Sequence, residues 1–118
     1  MYHLEGDGEY AVSVRGESHH EKALDSLLAD HRAKGPKRAV ALLVLENENA
    51  YDLKAVRVEI EGKLVGYLAQ KVARVHRAAI KALGHADEDV SCNVEIGKRH
   101  SVRLDLGKKW QEADEDDE

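Results

Sequence analysis

Nowhere in the 118 residues do apolar side chains follow one another for the ~18 positions that a membrane-crossing helix needs, and the polar, acidic N-terminus has no basic-then-apolar leader pattern. A cytoplasmic protein without membrane contact is the expectation. Cysteine occurs once, as Cys92, which excludes an internal disulfide, leaves too little thiolate for a structural zinc site, and reads as a small core residue. The seven histidines do not make good the shortage, because the adjacent pair His19 and His20 is poorly placed to ligate one ion and no cysteine or carboxylate spacing completes a site. Neither a metal nor a cofactor is expected. Also missing are the converging carboxylates of a metal-dependent nuclease and the nucleophile beside a base that a hydrolase requires, so the chain is not expected to be an enzyme.

Positive charge is in short supply too, with 18 Lys and Arg against 23 Asp and Glu and a net charge of −5. Affinity for phosphate rests largely on lysine and arginine, so this balance argues against a nucleic-acid partner. The average is misleading, because six of the acids (Glu112, Asp114, Glu115, Asp116, Asp117 and Glu118) crowd the C-terminus and leave 17 against the 18 cations elsewhere. A run with no apolar residue larger than alanine cannot bury much surface, so residues 111–118 are expected to be a disordered acidic tail.

What is present is enough for one core. The length suits a single domain, taken as residues 10–110 after an N-terminal arm at 1–9. Residues 10–14 alternate, with Tyr10, Val12 and Val14 on one side, as in a half-buried strand. Ser18 and Glu21 have capping-box spacing before Ala23, Leu24, Leu27 and Leu28 at helical spacing, and Gly35 and Pro36 end the segment. Residues 39–45 form an apolar run too short for a typical helix and fit a strand buried on both faces. A polar loop over 46–52 precedes a hairpin, in which Val56, Val58 and Ile60 alternate before a turn at Gly62 and Lys63. From Ala69 the period becomes helical, with Val72, Val75, Ala79, Ile80 and Leu83 on one face and Gly84 as the stop. A last hairpin pairs Val90, Cys92, Val94 and Ile96 with Val102, Leu104 and Leu106 around Gly97 and Lys98. Too few helices separate the strands for a parallel sheet, so the expected fold is mainly β, a small barrel of about six strands with two helices packed on it.

Four segments resemble the HIRAN family in the same order: V-R-G-E-S-H at 14–19, E-N-E-N-A-Y-D-L-K-A-V-R-V at 46–58, G-K-L-V-G-Y-L at 62–68 and S-V-R-L-D-L at 101–106. The pair N-x-Y-D-x-x-A-V and V-G-Y-L is the most specific part. The resemblance implies an OB-like barrel of the stand-alone bacterial type, related to domains fused to eukaryotic Snf2-class translocases that bind single-stranded DNA at a free 3′-hydroxyl end. The expected setting is DNA repair, replication restart or a mobile element, beside a helicase, translocase or nuclease encoded separately. On the matching positions it assigns base stacking to Tyr51 and the 3′-hydroxyl contact to Asp52, with Asn49 in the same loop and Tyr67 after the V-G pair. His19 and Ser18 stand where the DNA-binding eukaryotic members carry an aromatic and a basic residue, and Gln70, followed by Lys71, stands where they carry a lysine.

The residue chemistry admits two readings at each of these positions. An exposed tyrosine face can stack on any base, and an ionised carboxylate accepts a hydrogen bond from a hydroxyl while repelling a phosphate. Equally, Tyr51 suits packing across a strand end and Asp52 a turn to backbone amides, while Tyr67 suits a groove wall. Lys71, Arg74, Arg77 and Lys81 lie on one helical stripe that could meet phosphates or simply face water. The expected function is recognition of single-stranded DNA 3′-hydroxyl ends without catalysis; the alternative is a protein–protein interaction module that keeps the HIRAN fold without its DNA groove.

Overall fold

The computed structural model describes residues 1–116 and contains, in chain order, β1 (His3–Leu4), β2 (Val12–Arg15), a 3-10 helix (Glu17–His19), α1 (Glu21–Leu28), β3 (Lys37–Leu45), β4 (Val56–Ile60), β5 (Lys63–Leu68), α2 (Gln70–Ala82), β6 (Val90–Ile96), β7 (Val102–Asp105) and α3 (Lys108–Asp116). The strands run β1-β6-β3-β4-β5-β2-β7 across the sheet, and a further pairing of β6 with β7 closes β2 to β7 into a six-stranded antiparallel barrel. The expected class, a small OB-like barrel with helices on it, is the observed one. Alternation explains its interior: Val56, Val58 and Ile60 of β4 and Val90, Cys92, Val94 and Ile96 of β6 are all fully buried. Large side chains buried in this way contribute ~1.5–3 kcal/mol each. Leu24 and Leu27 of α1 and Val72, Ala73 and Ile80 of α2 belong to the same core. Among the described residues no helix is long and apolar enough to cross a membrane.

The structure departs from the sequence expectations in several places, each with a local cause. The N-terminal arm is partly ordered, because β1 runs parallel to β6 beside Ser91 and Cys92 and Leu4 is buried. Ser18 does not cap α1; it lies within the 3-10 helix, and His20 precedes α1 without a side-chain capping bond. β3 is buried on one face only, at Ala41 and Leu43, whereas Val40 on the outer face is 55% exposed. The hairpin turn falls one residue earlier than expected, at Glu61 and Gly62, whose φ values of 51° and 76° suit the tight turn that matches strand twist. On α2, Leu83 is half exposed and the buried face instead includes His76.

The largest departure is at the C-terminus. Residues 111–116 of the expected disordered tail form most of α3, which packs on α2 and β2. Trp110, just outside the expected tail, anchors it: its indole N–H donates to His76 Nδ1 at 3.0 Å, while Gln111 Nε2 donates to Asp7 and to the Leu106 carbonyl. Ala113 is buried beside them. The last two positions of that tail lie outside the described residues.

Candidate functional site

The loop between β3 and β4, residues 46–55, is ordered by its own side chains. Asn49 Oδ1 accepts the backbone N–H groups of Tyr51 at 2.8 Å and Asp52 at 3.1 Å, and its Nδ2 donates to Glu46 Oε1 at 2.9 Å. Asparagine suits this place because its short amide bonds backbone two residues on. Asp52 Oδ1 then accepts the Lys54 N–H at 2.9 Å and lies 3.7 Å from the Arg74 guanidinium of α2, with its side chain only 14% exposed. The consequence is a fixed loop tip on which Tyr51 is 97% exposed and Leu53 65% exposed.

Below the tip, Glu46 joins the loop to the barrel wall. Its Oε2 accepts from Arg57 Nη1 at 3.0 Å and from the Tyr67 hydroxyl at 3.1 Å, and Arg57 Nε donates to Glu59 at 2.7 Å. Partial burial alone would raise the Glu46 carboxyl, but hydrogen bonds from Asn49, Tyr67 and Arg57 and the Arg57 charge outweigh it and hold it below its ordinary value. Burial and the Glu46 carboxylate both push the Tyr67 hydroxyl up, so it stays a donor. Strand register sets Arg15 and Arg57 on either side of Tyr67, one outer row across β2, β5 and β4.

The structure thus brings Asn49, Asp52, Arg74 and Tyr67 into one hydrogen-bonded and charged unit with Tyr51 projecting from it. Asp52 makes the local turn and also faces a cation. Lys71, the second residue of α2 after Gln70, pairs with Asp116 of α3 at 3.3 Å, just as Arg15 pairs with Asp114 at 3.1 Å. Arg77 is not a free member of a stripe: its three guanidinium nitrogens donate to the Lys54 carbonyl, Asn47 Oδ1 and the Ala55 carbonyl, which pins the loop to the helix. His19 lies on the exposed 3-10 helix that packs on β5, and its ring makes no hydrogen bond among the described residues. Sequence inspection overlooked Glu46, Arg57 and Arg15. The only sequence trace of the hub is the three-residue step from Glu46 to Asn49, since strand parity shows that Arg57 and Tyr67 point outward but not that they meet.

Among the described residues no three His, Cys, Asp or Glu side chains are grouped so as to hold a metal ion. Burial, with Asp105 nearby, pushes the Cys92 thiol up to about 12, far from a reactive thiolate. Compared with known proteins, the chain matches no family model, no curated protein and no solved structure.

Proposed function

We propose that the chain is a HIRAN-type module that binds single-stranded DNA at 3′-hydroxyl ends in the cytoplasm, without catalysis of its own, for a helicase, translocase or nuclease encoded separately. The observation that carries this reading is Tyr51, an aromatic ring 97% exposed on a loop that Asn49 holds in place. A base stacked on such a ring gains ~1–3 kcal/mol whatever its identity. Beside it, Asp52 Oδ2 makes no hydrogen bond among the described residues and is free to accept one from a hydroxyl, whereas a terminal phosphate would set like charges together in a partly desolvated place.

Fluorescence anisotropy with strands that differ only at the 3′ end tests this. Hydroxyl ends should bind more tightly than phosphate ends. Asp52→Ala should weaken hydroxyl-end binding by ~1.5–3 kcal/mol, the scale of a hydrogen bond to a charged group, and barely affect phosphate ends. Tyr51→Ala should weaken both by ~1–3 kcal/mol. Equal binding of the two ends by the parent protein would remove end recognition and leave the exposed Tyr51 and Leu53 tip as a contact for a protein partner.

A further inference from the structure

The outer stripe of α2 does not simply face water. Arg74, Arg77 and Lys81 converge with Lys54 of the 46–55 loop on a cavity of about 430 Å³, in which Asp87 is the one acidic lining residue among the described residues. That volume lies within the ~300–1,000 Å³ common for small-ligand sites. The rest of the lining is apolar, from Leu45, Ala78, Ile80 and Ala86.

The four cations are not equivalent. Arg77 is consumed by its three acceptors and acts as a positioning residue, holding the Lys54 segment against the helix. Arg74 spends one nitrogen on the Gln70 carbonyl and is 3.7 Å from Asp52, so it stands between the cavity and the loop tip. The ammonium groups of Lys54 and Lys81 make no ion pair or hydrogen bond among the described residues. Cations gathered around a concave, partly apolar surface repel one another and focus their field into the hollow, an arrangement that an anion relieves.

We propose that this cavity holds a nucleotide, with its phosphate between Lys54, Arg74 and Lys81 and its sugar or base against the apolar lining. The nucleotide could be an inner one of a bound strand or a free one. Only the first case rests on the end-binding reading, since Arg74 links the cavity to Asp52 and a strand ending at Tyr51 would run on along α2.

Lys54→Ala, Lys81→Ala and the double variant test this, because both side chains are exposed and their loss leaves the core intact, which thermal melts check. A short single strand is titrated by anisotropy over a range of salt, and adenosine 5′-monophosphate is titrated by amide NMR. Loss of that one phosphate contact should lower the slope of log affinity against log salt by about 0.7, a change reached most fully in the double variant, which should retain the parent's ranking of hydroxyl and phosphate ends. Amide shifts at Lys54, Arg74 and Lys81 on nucleotide addition, abolished in the double variant, would place free nucleotide there. A changed strand slope without nucleotide shifts assigns the cavity to the strand, and the reverse assigns it to free nucleotide. A parent with no end preference but with these variant effects would sink the end reading and leave the cavity standing. Unchanged slopes together with no nucleotide shifts would overturn the proposal.

Discussion

At Gly66, β5 lies too near β2 to carry a side chain, since a Cβ there would collide with the Arg15 carbonyl and the Val14 side chain. Gly66 sits beside the register shift between Val58 and Glu59, where β5 bulges against β4. A glycine in the V-G-Y-L segment therefore has a steric cause, and it sets Tyr67 opposite Arg15. Gly66→Ala should destabilise the fold by ~1–3 kcal/mol, as overpacking does, visible as a lower urea midpoint at unchanged m-value. An unchanged midpoint would show that β2 can move aside. At this scale the sequence was legible where a residue acts on its own loop, as Asn49 and Asp52 do. It was silent on Glu46, whose partners Arg57 and Tyr67 are 11 and 21 positions away and meet it only after the strands pair.

Between elements, the bond from Trp110 to His76 fastens α3 to α2. Because the indole donates, His76 must accept through Nδ1 and carry its proton on Nε2, which is buried without a partner among the described residues. Burial, aided by the Arg77 charge, lowers the imidazole from its ordinary 6.5 to about 4. The folded state therefore binds fewer protons than the unfolded chain between these values, so stability is full above about pH 6.5 and falls as pH drops towards about 4, by about 3 kcal/mol in all. Urea unfolding at neutral and acid pH should show this loss, and His76→Leu should flatten the pH dependence while lowering stability at pH 7 by ~1–3 kcal/mol through the unpaired indole N–H. A parallel pH dependence in parent and variant would assign the acid lability elsewhere. The strands and α2 were legible because their periodicity is local. Helix α3 was not, because its acidic face hides three inward residues, Trp110, Gln111 and Ala113, whose burial depends on His76, Asp7 and Leu106. The two-faced burial expected of β3 failed for a related reason: hydrophobic content does not reveal that Val40 is left 55% exposed.

Across the whole molecule the acidic C-terminus is part of the charge balance of the site. Asp114 and Asp116 of α3 lie against Arg15 and Lys71, which flank the Tyr67 row and the start of α2. Any strand reaching those cations must compete with the two carboxylates. Replacing both (Asp114→Asn with Asp116→Asn) should tighten binding of single strands at low salt and steepen the salt dependence by about 0.7 for each freed cation, with the gain fading as salt screens the charges. Equal affinities of parent and double variant at low salt would show that these pairs only hold the helix.

The barrel is closed by its two extremes, Val12 of β2 against Leu104 and Ser13 against Arg103 of β7. A newly made chain therefore carries β2 to β5 with one flank of β2 open until β7 has been synthesised, and exposed strand edges invite pairing with other chains. Between the emergence of β5 and that of β7 this edge has no partner strand from the barrel. Once β7 has emerged, the same late pairing seals the edge that was at risk.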